Sequence, residues 1–196
     1  MSSRRAQRVH DAAGYLLHAG AWKETSLIIQ VFARDHGIVA LVAKGAKRPT
    51  SALRPVLSAF QPLLLSWSGA GEVKTLVRAD CAGIHRLTGR AMMSAWYMNE
   101  LLIRLLPRED AHPGLYTAYD DALRRLAQGN RAAGALRRFE WQLLNETGYG
   151  LDQAEPDFED PVLEPELRHA LRERLDQLLA GKPLHTRKVL MELQRF

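Results

Sequence analysis

The first 82 or so residues read as β, with short apolar runs separated by turn residues. In Ser26–Phe32, Leu27, Ile29 and Val31 fall on one face, with Ile28, Gln30 and Phe32 on the other, as in a strand. The run Ile38–Lys44 follows across Arg34–Gly37, "RDHG", whose polar residues and terminal glycine suit a tight turn. Two further runs, Gln61–Trp67 and Val73–Ala79, flank "SGAGE", a second hairpin signal. With "YLLHAGAW" ahead of them these make five short strands with a proline-bearing connection in the middle. At this length a five-stranded barrel of the oligonucleotide-binding (OB) type is expected.

From Ile84 the period changes to that of helices. "LTGRAMMSAWYMNELLIRLLP" is apolar almost all round, with Met92, Trp96, Leu102 and Leu106 contributing, so it is expected inside a bundle, stopped by Pro107. "LYTAYDDALRRLA" sets Leu115, Tyr119, Ala122, Leu123 and Leu126 on one stripe. "ALRRFEWQLLNETGYG" and "ELRHALRERLDQLLAG" repeat the pattern, and each ends on a glycine suited to a helix C-terminus. A short helix, "TRKVLMELQRF", closes the chain. Between the last two long helices, residues 152–165 carry six acids, no base and three prolines, and are expected to form an exposed connector. The expected class is α+β in two domains: an OB barrel over 1–82 and an all-α helical bundle over 83–196.

Charge sharpens this outline. The 196 residues carry a net +5, but residues 1–60 hold nine Lys/Arg against three Asp/Glu, a net +6, and residues 151–196 a net −3. No acid stands between Asp35 and Glu72, whereas Lys44, Lys47, Arg48 and Arg54 crowd the connection after the third run. Basicity concentrated in this way suits a polyanion; a solubilising excess is the plainer alternative. No run of 18 apolar residues appears, and His10 and Asp11 interrupt a basic N-terminus that otherwise begins as a signal peptide does. The lone cysteine, Cys81, allows no intrachain disulfide, which fits a reducing cytoplasm.

Catalytic signatures are missing from the sequence. The seven histidines show no i, i+3 or i+4 pair, no HExxH occurs, and neither a GxSxG elbow nor a GxxxxGK[ST] phosphate loop is present. "GAGEVK" lacks the third glycine of a nucleotide fingerprint and lies in a hairpin. Metal-dependent nuclease chemistry needs acids converging on the basic region, which has almost none. The sequence therefore argues for binding without catalysis and without a cofactor.

Phosphates would supply the counter-charge that the loop lacks. Lys23 and Arg34 flank the first turns, Lys74 starts the last strand, and Arg4, Arg5 and Arg8 would add charge from a flexible end. If roughly six of these met phosphates of a single strand, log K would fall with log salt at a slope of about −4. Trp22, Phe32 and Trp67 are candidate stacking faces, worth roughly 1–3 kcal/mol per base, though a barrel interior also needs such groups.

Several stretches resemble, in order along almost the whole chain, the bacterial recombination mediator family RecO. They are "ETSLIIQVFARDHGIVALVAKGAKRP" (24–49), "FQPLLLSWSGAGEVKTL" (60–76), "YMNELLIRLLP" (97–107), "LRRFEWQLLNETGYGLD" (136–152) and "GKPLHTRK" (181–188). The resemblance implies an OB-fold followed by a helical domain. It also implies binding of single- and double-stranded DNA, strand annealing, and work with RecR that helps RecA replace single-stranded DNA-binding protein (SSB) in DNA repair and recombination, in the cytoplasm at the nucleoid. Lys23, Arg34, Lys44, Lys47, Arg48 and Lys74 fall in matching stretches. Arg137 and Arg138 match a segment implicated in docking the acidic, apolar-ended C-terminal tail of SSB. Some members bind zinc through four cysteines, which Cys81 alone does not permit, and the region after Leu151 looks shorter than usual. An OB-fold RNA-binding protein of the translation machinery would share the basic patch and is the alternative.

Overall fold

In a computed structural model the chain divides into two compact units, one running to His85 and taking in Pro107–Pro113, the other holding Arg86–Leu106 and the chain from Gly114. The structure describes residues 7–129, 132–187 and 189. Arg4 and Arg5 lie outside them, and so does most of the expected final helix.

The first unit is a five-stranded barrel. Its strands are β1 (Gln7–Trp22), β2 (Ser26–Ala33), β3 (Gly37–Ala43), β4 (Pro62–Gly69) and β5 (Val73–Cys81), closed in the order β1-β2-β3-β5-β4. All pairs are antiparallel except β3–β5, where Ala40, Leu41 and Val42 run parallel to Val73, Lys74 and Thr75. A short helix, α1 (Leu53–Val56), lies between β3 and β4. That topology is the OB-fold. The inward positions of β2 are Ile29, Val31 and Ala33, with Leu27 partly buried behind them, so its period-two pattern is the barrel's inner face. Leu41, Leu63, Leu65, Trp67 and Leu76 complete the core, and Leu53 and Val56 of α1 pack against it together with Leu57.

The first strand is longer than its apolar run suggests. It pairs with β4 over its first half and with β2 over its second, and its register shifts between Val9 and Ala12 and again between Leu16 and His18. At the first shift Asp11 adopts φ 48°, and its N–H donates to Ser66 Oγ at 3.0 Å. A bulge turns the strand and exchanges its faces, which is how one strand borders two partners. Arg8 is thereby part of this strand, opposite Ser68, rather than a flexible end.

Pro107–Pro113 forms a strap on the barrel. Arg108 bridges to Ile38, and the Glu109 N–H donates to the Ile38 carbonyl at 3.0 Å. Beneath it Gly37 has φ +66°, and a Cβ there would stand 1.9 Å from the Asp110 carbonyl oxygen. Only glycine fits both the left-handed backbone and the close approach.

The second unit is helical: α2 (Gly89–Leu105), α3 (Pro113–Ala127), α4 (Ala132–Glu146) and α5 (Glu164–Leu178). Its core collects Met98, Leu101 and Leu102 of α2, Leu115, Tyr119 and Leu123 of α3, Phe139, Leu143 and Leu144 of α4, and Leu167, Leu171 and Leu175 of α5. Helix α2 is not buried all round, since Met92 and Trp96 are exposed. The Glu100 carboxylate accepts the N–H groups of His185 and Thr186 at 3.0 and 2.9 Å and the Thr186 hydroxyl at 2.7 Å. Burial pushes the Glu100 carboxyl up, but these hydrogen bonds and Arg104 outweigh it and hold it below the ordinary value. Among the described residues no helix is long and apolar enough to cross a membrane.

Gly37→Ala is expected to destabilise the protein by more than the roughly 1–2 kcal/mol of left-handed strain alone, because the strap must also move. Urea unfolding of the two proteins side by side measures this.

Candidate nucleic-acid interface

The strand order brings the turn between β1 and β2 and the loop after β3 to one rim. Leu27 pairs with Ala43, so Lys44 leaves β3 beside the start of β2. The Lys47 N–H donates to the Thr25 carbonyl at 2.9 Å, and the Gly45 N–H to Ser26 Oγ at 3.4 Å, which folds the basic loop back onto that turn. The result is a cleft of about 520 Å³. Trp22 and Lys23 line one side, Lys44, Gly45 and Arg48 another, and Ile28, Val42, Val73 and Thr75 provide a largely apolar floor.

Lys23, Lys44 and Arg48 thus share one site, with Lys47 tied to its edge and exposed. Arg54 is exposed on α1, at the barrel end that helix packs against. Arg34 stands apart: it follows the far end of β2 and donates its N–H to Ala13. Among the described residues none of these six side chains meets a carboxylate.

Lys74 differs from them. Its side chain is buried, and although it lines the cleft, its ammonium is ion-paired with Glu109 of the strap and lies 3.4 Å from the Gly71 carbonyl. Burying an ammonium is unfavourable unless a partner accompanies it, and Glu109 is that partner. Sequence reading passed over Glu109 because "PRED" after a long helix looks like a simple stop. Of the three candidate stacking residues, Phe32 is fully buried and Trp67 is 2% exposed, so neither offers a face to a ligand. Trp22 is 45% exposed, in the cleft.

The two arginines of α4 also part company. Arg137 is buried, its Nε 2.9 Å from Glu140 and its Nη1 3.8 Å from Glu164. Glu140 accepts the Tyr97 hydroxyl at 2.6 Å. Burial pushes the Glu140 carboxyl above its ordinary value, with Arg137 and the Tyr97 hydrogen bond pulling the other way. Arg138 is half exposed; its guanidinium lies 4.8 Å from the centre of the Phe158 ring, and Glu155 is 3.7 Å away. The acidic connector is therefore not simply exposed. Phe158 is buried and packs edge-on against Trp141, and Glu159 reaches Arg125 at 3.3 Å. A phenylalanine amid six acids was the available clue to this docking.

Comparison with known proteins decides the family. The model described as recombination protein O N terminal matches residues 8–85, and that described as recombination protein O C terminal matches 86–155. This chain belongs to the RecO family. It is 44% identical to the DNA repair protein RecO of Aromatoleum aromaticum, covering 96% of this chain and 98% of that protein. The RecO of Azoarcus sp. is 41% identical over 95% of this chain and 97% of its own length. That of Cupriavidus pinatubonensis is 55% identical over 76% of this chain and 52% of its own length. The Aromatoleum alignment runs over 234 positions, more than the 196 residues here, so that RecO holds residues with no counterpart in this chain. The four-cysteine zinc centre of some RecO proteins does not fit this one, whose single Cys81 is exposed.

Glu109→Ala leaves the Lys74 ammonium buried with only a carbonyl, and is expected to lower stability by about 1–3 kcal/mol. Adding Lys74→Met to that variant should recover part of the loss, since the charge goes with its partner. Urea unfolding of the single and double variants checks both expectations.

Proposed function

We propose that this RecO-family chain binds single- and double-stranded DNA at the barrel rim, anneals complementary strands, and acts with RecR to help RecA replace SSB. The observation that carries the reading is the cleft where Lys23, Lys44 and Arg48 converge, with no carboxylate of the described residues paired to them. Annealing requires no catalytic residue. Cations that neutralise two backbones reduce the repulsion that keeps complementary strands apart. The family membership supports a role in DNA repair, and the named partners fit it.

Changing Lys44, Lys47 and Arg48 together to Ala is expected to weaken binding of an oligonucleotide and flatten its log K against log salt slope by about 2 on a single strand. The rate of annealing between complementary oligonucleotides should fall with it. An unchanged slope and rate would remove the loop from the interface. Competition with an RNA of the same sequence distinguishes this reading from an RNA-binding barrel.

For the acidic tail of SSB, Arg138 is the better contact. Its guanidinium is partly open to solvent and stacks on an aromatic ring, which suits a carboxylate beside an apolar group. A tail bound there competes with Glu155. Arg138→Ala is expected to weaken binding of a tail peptide while leaving the thermal unfolding curve nearly in place. Arg137→Ala strands Glu140 in the interior and should cost about 3–5 kcal/mol. Calorimetric titration of the peptide, with a melting curve for each variant, separates the two.

A further inference from the structure

We infer that the rim cleft holds a single unstacked nucleobase against Trp22, so that this site reads the bases of a single strand as well as its charge. The inference rests on the phosphate-binding reading above and adds a second kind of contact to it.

The aromatic residues of the barrel divide sharply. Phe32 and Trp67 are consumed by packing, at 0% and 2% exposure, whereas Trp22 keeps 45% of its surface in water. Trp22 ends β1, pairs with Ser26 across a three-residue turn, and contributes nothing to the barrel core. Its position in the cleft is what its surroundings give meaning to. The floor opposite is formed by Ile28, Val42 and Val73, and Val73 is itself 43% exposed. A wall of indole and a floor of aliphatic groups match the faces of a base, which are flat and weakly hydrated. Lys23, Lys44 and Arg48 around that surface match the phosphates on either side of the base.

Charge decides the occupant. An apolar peptide would gain from the floor but nothing from three cations that meet no carboxylate among the described residues, and an inorganic anion would leave the indole unused. A segment of single-stranded nucleic acid uses both. A base stacked inside a duplex does not present its face, so the duplex keeps only the backbone contacts. Stacking of this kind tolerates any base, because every base has a π face.

The test separates base from backbone. A short oligothymidylate, within the roughly 4–16 nucleotides that an OB fold covers, is compared with a strand of equal phosphate number built from abasic sites. Wild type should bind the base-bearing strand about 5- to 150-fold more tightly, the range of one stacked base. Trp22→Ala should bring it down towards the abasic strand, and Trp22→Phe should retain most of the difference. The salt slope should be the same for all three proteins, since no cation is removed. Equal affinity of wild type for the two strands overturns the inference, as does a Trp22→Ala variant that loses equally on both or on neither. In those cases a salt slope that persists leaves the phosphate reading standing. Binding without salt dependence on either strand sinks both. A melting curve for Trp22→Ala, expected to match wild type because the side chain lies outside the core, excludes misfolding as the cause.

Discussion

Uncompensated positive charge at one rim of a closed barrel is the constraint on which the functional reading depends. In the helical unit Arg104, Arg124, Arg125, Arg137 and Arg138 each face a carboxylate, and the one buried lysine among the described residues is met by Glu109. Lys23, Lys44, Lys47 and Arg48 receive no such treatment among the described residues, although acids are plentiful in the chain. A surface that merely needed to stay soluble would mix the two signs. Segregation of sign at a concave site creates a local potential that draws in a polyanion, and screening makes that attraction sensitive to salt.

The barrel topology is what concentrates this charge. Because β2 and β3 are a register-locked hairpin, the residues before β2 and after β3 emerge side by side, and hydrogen bonds to Thr25 and Ser26 fix the loop there. The parallel β3–β5 closure then adds Val73 and Thr75 to the same surface. Residues some fifty positions apart meet at one cleft without any long side chain having to reach. The same geometry sends Arg34 to the far end of β2, where it shares neither the cleft nor its apolar floor.

Much of this was legible in the sequence, and the parts that were not share a cause. The period-two face of Leu27, Ile29 and Val31 in β2 points to the barrel interior, and the stripe on α3 is its buried face, because each set of positions packs on one core. Only the second half of β1 was legible, because the strand serves two partners and shifts register between Val9 and Ala12, so Asp11 looked like an interruption rather than a corner. Lys74 and Arg137 looked like surface cations for a related reason: composition records a charge but not its depth, and although Glu140 stands at i+3 from Arg137, Glu109 lies 35 residues from Lys74. Trp22 and Trp67 are indistinguishable as letters; only closure of the barrel buries one and leaves the other in water. The family resemblance agreed with the order of domains that the periodicity had already given, but could not settle which arginine of "LRRFE" was accessible.

The strap has a consequence for how the chain is divided. It leaves the barrel at His85, runs through a seventeen-residue helix, and returns at Pro107 to complete the barrel's own surface. A fragment cut at the apparent boundary would therefore lack the carboxylate beneath its deepest lysine and the backbone that seals the Gly37 turn. The last piece of the barrel unit is thus encoded within the stretch of chain that otherwise builds the helical one.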